Sequence, residues 1–353
     1  MAAPTLDASS APAVPVPPGP RGSTGVRLLA VAGCASLVVV AALLSLRVGS
    51  VPLDTPTVLD ALFAFDGSND HLIVRTLRVP RTLVGLAVGV SLALAGVAMQ
   101  AVTRNALASP SILGVNAGAS FAVATAVFAF GVVSPAGYVW FAFAGAAAAT
   151  VLVVLVASAG RLGATPLKLA LAGAVVTALL QAWISAVLVL DERTLDEVRF
   201  WLAGSLVGRD VEILAQVLPF MAVGVLGVVL LVRPFDALGL GDDAAAGLGV
   251  RTGVVRASGM GVAVVLAGAS VAVAGPVAFV GLAVPNAVRA VSGASHRWLV
   301  TYSALLGPVL LLSADVLGRV VARPGEVQVG IVTALVGAPV LIHLVRRRRS
   351  IEL

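Results

Sequence analysis

The chain has 353 residues, 59% of them hydrophobic and only 11% charged, with a mean hydropathy of +1.06. So much apolar side chain with so little charge cannot cover a water-facing surface, which excludes an ordinary soluble domain and makes lipid the expected solvent. The net charge of +6 does not point to nucleic acid, because the basic residues sit in short segments between apolar runs, as membrane topology requires.

Residues 1–25 are rich in proline, alanine and serine, with Pro12, Pro15, Pro17, Pro18 and Pro20 close together, and predict a disordered cytoplasmic tail. The apolar run after Arg27 is too long for a signal peptide and lacks a cleavage site, so it reads as a retained first span. It holds the single cysteine, Cys34, which rules out an intrachain disulfide framework. A helix of about 20 apolar residues crosses the hydrocarbon layer. The candidate spans are 28–46, 82–101, 112–131, 138–157, 167–190, 213–232, 254–274, 276–289, 299–314 and 329–345, the eighth and ninth being short. The uncharged stretch 257–288 is long for one helix and tight for two, but Gly275 and Pro276 interrupt it.

Charge decides the count. With ten spans and both termini cytoplasmic, the inside segments balance at +9 and the outside segments at −3. Nine spans would put Arg346 to Arg349 outside. The sequence therefore predicts an all-α polytopic membrane protein of about ten transmembrane helices. Its single transmembrane domain covers 26–346, and a basic cytoplasmic tail covers 347–353.

In the second span Gly85, Gly89 and Ala93 form a stripe of small residues suited to close helix packing. In the fifth, Gly173, Thr177, Gln181 and Ser185 fall every four residues on one face, among apolar neighbours. A polar stripe at bilayer depth must face protein or water, so it either bonds a neighbouring helix or walls a pathway. Arg75, Arg78 and Arg81 precede the second span at its outer end, suited either to a partner's carboxylates or to a solvated rim. Asp315 and Arg319 are spaced to pair with each other. On the inner side, Leu238 to Val250 predicts one or two short helices that either dock a partner or form a plain loop. Ser91 to Gly96 echoes Ser270 to Gly275, leaving an internal duplication open. There is no GxxxxGK[ST] loop, so any nucleotide-derived energy has to come from another chain, and the three histidines form no metal-binding pattern. No evident intramembrane carboxylate lies in the confident spans, Asp315 falling at a boundary, which weighs against an ion-driven secondary carrier, the main alternative.

From about residue 30 to 346 the chain resembles the permease subunits of binding-protein-dependent ABC importers for iron–siderophore complexes, haem and vitamin B12, the type II importers. The resemblance is carried by RVPR at Arg78 to Arg81; by Met99-Gln100, Arg104-Asn105, Pro110 and Leu113-Gly114; and by WLAGSL from Trp201 through Gly204. It continues in Leu240-Gly241-Asp242-Asp243 with Ala245 and Leu248-Gly249, and in AVAGPVAFVGLAVPNAVR, which holds Pro276, Pro285, Asn286 and Arg289. Asp315, Arg319, Glu326 and VGIVTALVGAP complete it.

The resemblance implies a permease without covalent chemistry that binds no cofactor itself. Two permease chains, identical or paired, would enclose the pathway in a bacterial cell (inner) membrane. Two cytoplasmic ATPases would bind ATP and magnesium, and an extracytoplasmic lipoprotein would deliver ligand, most readily an iron–siderophore complex. It further implies that Arg78, Arg81 and Arg319 face binding-protein glutamates, that the fifth-span stripe lines the pathway, that the turn at Ala164 to Leu167 is an inner gate, and that Leu240 to Val250 seats on the ATPase. The chain departs from the family pattern at Ala106, where proline is usual, and at Asn286, where histidine is usual. An asparagine does not titrate near pH 7.

Overall fold

The computed structural model describes residues 24–49, 52–159, 165–293 and 295–349. Most of the expected N-terminal tail, the start of the expected gate turn at Ala164 and residues 350–353 lie outside them. All regular structure among the described residues is helical.

Helix α1 (Thr24–Arg47) leads to α2 (Thr55–Phe63), which Asp54 caps by accepting from the Thr57 N–H at 3.2 Å. The short α3 (Asn69–Leu72) runs through a wide π turn, Ile73–Arg78, straight into α4 (Val79–Thr103). A 3₁₀ turn at Pro110–Leu113 then opens α5 (Val115–Phe130), followed by α6 (Pro135–Ser158), α7 (Pro166–Leu190) and the amphipathic α8 (Glu192–Leu202). After these come α9 (Val211–Gly239), the stub α10 (Asp242–Gly247), α11 (Thr252–Ala274), α12 (Val280–Ser292), α13 (His296–Val321) and α14 (Val329–Arg349).

The ten predicted spans correspond to α1, α4, α5, α6, α7, α9, α11, α12, α13 and α14. Among the described residues, seven helical segments are long and apolar enough to cross a bilayer, and Val115–Phe130 and Val329–Pro339 are shorter apolar helices. Two expectations need correction. The eighth span does not start at Pro276: residues 275–279 are non-helical, Phe279 is left-handed with φ 68°, and α12 has 13 residues, about 20 Å at 1.5 Å each and too short to cross alone. The ninth span is not short. Helix α13 has 26 residues and carries Asp315 and Arg319 inside it, so charged groups do lie within a spanning helix.

Helix α4 is the centre of the bundle. In the most apolar stretch of α3 and α4, 78% of residues are buried, against 11% in α1 at the periphery. With no hydrophobic force between helices in lipid, contact depends on how closely backbones approach. The predicted small-residue stripe serves this purpose: Gly85 faces Leu312, Gly89 faces Pro308 and Ala93 faces Gly307, all on α13. Further along the same side of α4, a Cβ at Gly96 would stand 1.8 Å from the Gly281 carbonyl oxygen, which presses short α12 onto the central helix. Gly118 of α5 and Gly145 of α6 meet in the same way.

Gly96→Leu should separate α4 from α12 and destabilise the chain by about 3 kcal/mol or more. Gly33→Ala, whose added methyl meets nothing within 4 Å inside α1, should not destabilise and should gain about 0.5–1 kcal/mol from alanine's helix preference. Thermal unfolding of the two purified variants in detergent checks both.

Candidate translocation cavity

A cavity of about 960 Å³ lies between α5, α7 and α14. Thr177, Gln181 and Ser185 line it, and so do Ser111, Asn116 and Ser120 across from them. On α14 the lining runs from Ile331 to Ile342, about 16 Å of helix rise and half the hydrocarbon thickness. Gly173, the fourth member of the predicted stripe, does not reach the cavity. A Cβ there would lie 1.8 Å from the Ile112 carbonyl oxygen, so Gly173 lets α7 close on the 3₁₀ turn. Gln181 and Ser185 are exposed and, like Thr177, form no hydrogen bond to another described residue. Among the described residues, therefore, this stripe bonds no neighbouring helix. Asn116 and Ser120, four apart on α5, were legible by the same spacing argument and were missed.

The cavity's end wall is made of backbone rather than side chains. Leu202, Ala203, Pro276 and Gly330 line it where three helix breaks meet. The Ser205 N–H donates to the Ala274 carbonyl at 2.7 Å, and the Gly330 N–H to the Gly204 carbonyl at 3.0 Å. A Cβ at Gly275 would lie 2.1 Å from the Trp201 carbonyl oxygen, and one at Gly204 2.4 Å from that of Pro276. Irregular backbone is tolerated at membrane depth only where its polar groups find partners in protein or face a cavity. The motif residues Trp201, Gly204 and Pro276 thus build one junction from segments far apart in the chain.

At one end of the bundle lies a buried charge network. Arg81 binds Asp315 with two nitrogens, Nη2 at 2.7 Å and Nε at 3.0 Å, and reaches Glu326 at 2.8 Å. Arg319 also pairs with Asp315, and its Nη1 donates to the Ser45 and Val48 carbonyls at 2.8 and 2.7 Å. Arg78 donates to the Leu46 and Arg47 carbonyls at 2.8 and 2.7 Å. Two guanidinium groups therefore satisfy the carbonyls that the end of α1 leaves without helical partners. The solvated-rim alternative does not hold for Arg78, and Arg319 is buried with it: they are 5% and 2% exposed. All three arginines line a recess of about 230 Å³ at this end, together with Arg209 and Glu326. Desolvation pushes the Arg209 guanidinium below its ordinary value, in the connection between α8 and α9. Arg75 is exposed but turned onto α2, donating to the Ala61 carbonyl at 2.7 Å beneath Phe65.

The opposite end carries α10. Gly241 at φ 108° and Gly249 at φ 80° supply the positive-φ turns on either side of it. Ala245 is fully buried against the bundle, while Leu240 and Leu248 are 67% and 66% exposed. Asp243 is exposed, and Asp242 binds Arg256 at 2.8 Å and lies 3.7 Å from Arg104. Arg104 ends α4 in the left-handed region at φ 51°, Asn105 accepts from the Leu107 N–H at 2.9 Å, and Pro110 starts the 3₁₀ turn. Two leucines thus stand out from a segment held by an ion pair and a buried alanine.

These observations agree with the chain's relatives. Residues 37–347 match the FecCD transport family. The chain belongs to that family. It is 42% identical to the ferric enterobactin transport system permease protein of Escherichia coli (strain K12), over 93% of this chain and 98% of that one. It is 41% identical to a probable siderophore transport system permease protein of Bacillus subtilis (strain 168), over 82% and 87%. A solved structure described as an inward-facing metal-chelate type ABC transporter superposes with a TM-score of 0.80 at 28% identity, covering 91% of this chain and 99% of that chain.

The two departures of this FecCD-family chain touch each other. The Asn286 amide donates to the Ala106 carbonyl at 2.7 Å and to the Leu282 carbonyl at 2.8 Å, one N–H to each. Pro285 lies beside it inside α12, and Arg289 one turn on donates to Gln100 at 3.2 Å.

Asp315→Asn should cost about 3–5 kcal/mol, because it leaves Arg319 buried without its carboxylate. Glu326→Gln, whose partner keeps Asp315, should cost about 1 kcal/mol or less. Thermal unfolding in detergent separates the two, and equal stabilities would remove the structural role assigned to Asp315.

Proposed function

We propose that this multi-pass membrane protein is the permease subunit of an ATP-driven importer that carries iron across the membrane as a siderophore chelate. The observation that carries the reading is the cavity. It is long, lined by hydroxyls, amides and apolar side chains, and none of its lining residues is His, Cys, Asp or Glu. Such a wall offers iron no anionic or imidazole ligand, which supports a metal that crosses inside its chelate along a wall that lets a bulky ligand pass without holding it. The siderophore and ferric enterobactin permeases among its relatives support that substrate class over haem or cobalamin.

In this reading the chain works with a second permease, two ATPases and a binding protein. The cavity is walled on three sides by this chain. A third to nearly half a turn round α7 from the lining residues, Leu171, Val175 and Leu179 form an exposed apolar ridge, which supports contact with a second permease. The excess of basic residues at the α10 end supports a cytoplasmic setting for that end and for both termini. There Leu240 and Leu248 would seat in the ATPase, with Asp242 holding the segment against the bundle. The recess at the other end, lined by Arg78, Arg81, Arg209 and Arg319, would accept the binding protein. The arginines shape that face from within rather than project from it.

Co-reconstituted with its ATPase and binding protein in liposomes, the chain should accumulate a ferric siderophore only when ATP is supplied. Uptake driven by an ion gradient without ATP would contradict the proposal. Leu240→Glu with Leu248→Glu should reduce transport and stimulated ATP hydrolysis roughly tenfold or more, as the loss of buried interface anchors does. Unchanged coupling would remove the docking role of α10.

A further inference from the structure

On the outer surface of the bundle, at the α10 end, a groove of about 410 Å³ runs between α1, α12 and α13. Its walls are apolar, from Ala30 and Cys34 on α1, Ala287 and Val291 on α12, and Leu306 on α13. Val291 is 73% exposed, and α1 faces outward along most of its length, so in the membrane this groove opens to lipid. At its mouth, Arg27 and Arg297 both stand over the Trp298 ring, at 5.2 and 5.5 Å from its centroid. Trp298 stacks on Tyr302, whose hydroxyl donates to the Arg27 carbonyl at 3.2 Å and fixes the start of α1 against α13. Neither arginine pairs with a carboxylate among the described residues. The Ser292 hydroxyl, which lines the same groove, is buried without a hydrogen-bond partner.

We propose that this groove is a binding site for one anionic phospholipid. An acyl chain would fill the apolar trough, and the phosphate would sit between Arg27 and Arg297. The charge complementarity is specific to such a ligand: two unneutralised guanidinium groups call for a phosphate, and the apolar trough behind them calls for a chain attached to it. Trp298 and Tyr302 have the amphipathic rings that settle at the depth of lipid headgroups. A bound lipid would tie α1 to α12, the short helix packed on α4 through Gly281, and so brace the end that bears α10.

The test uses the full chain in phosphatidylcholine nanodiscs that contain either brominated phosphatidylglycerol or brominated phosphatidylcholine. Bromine quenches nearby indoles, and the Trp298 component is the difference between the chain and its Trp298→Phe variant. Phosphatidylglycerol should half-saturate this quenching at a mole fraction at least roughly fivefold lower than phosphatidylcholine, since each basic side chain near the surface is worth about that factor. Arg27→Gln with Arg297→Gln should bring the ratio close to one, and the corresponding pair of lysines should keep most of it. Ala287→Phe, at an exposed position on the groove wall, should block quenching without changing charge, and it decides the matter if the glutamine pair fails to fold. The proposal is overturned by equal quenching by the two lipids, or by a preference that survives Ala287→Phe. Quenching that appears only after deletion of residues 1–23 would also overturn it, because the groove would then be filled by the chain's own N-terminus.

Discussion

One carboxylate, that of Asp315, assembles an end of this molecule. It lies at 1% exposure between two arginines from different helices, Arg81 on α4 and Arg319 on α13. Arg319 then closes the carbonyl end of α1, and Arg81 reaches Glu326 just before α14 begins. A charge so placed is costly unless both partners stay in position, so the ends of α1, α4, α13 and α14 are fixed relative to one another. Helix α14 forms a cavity wall, and the network therefore helps set the geometry of the cavity from its edge.

The bilayer imposes the second constraint. Three helix breaks meet beside the cavity, and every broken helix frees backbone groups that lipid cannot satisfy. The chain answers by pairing the breaks with each other, Ser205 with Ala274 and Gly330 with Gly204, which glycines at 204, 275 and 330 make close enough. The result is a stretch of polar backbone and weakly polar side chains facing open space, where the same groups facing lipid would be untenable. A pathway for a large chelate needs such a surface, wide and without fixed charge.

Much of this was legible in the sequence because periodicity survives folding. The apolar runs gave the spans, and Gly275-Pro276 with the charge bias gave the break between α11 and α12. The four-residue spacing of Thr177, Gln181 and Ser185 gave one cavity wall. What stayed hidden depends on contacts between distant residues. Spacing showed that Asp315 and Arg319 could pair, but not that Arg81, 234 positions away, would share the same carboxylate and turn inward. Arg78 likewise looks like a surface charge until the carbonyls of Leu46 and Arg47 are brought beside it. Gly173 fitted the polar stripe by spacing, yet it serves packing, because only the position of Ile112 shows how near the neighbouring backbone comes.

The central claim is that the face of α7 bearing Gln181 walls an aqueous pathway while the face turned away from it, bearing Leu179, meets apolar surroundings. Thiol accessibility tests it most directly, on the assembled transporter in liposomes, with Cys34 replaced by serine and a single cysteine introduced at position 181 or 179. The account predicts that the Gln181→Cys variant reacts with a membrane-impermeant thiol reagent, at a rate that differs between ATP-bound and nucleotide-free states. The Leu179→Cys variant should not react. A Gln181→Cys variant that stays unreactive in every nucleotide state would contradict the account.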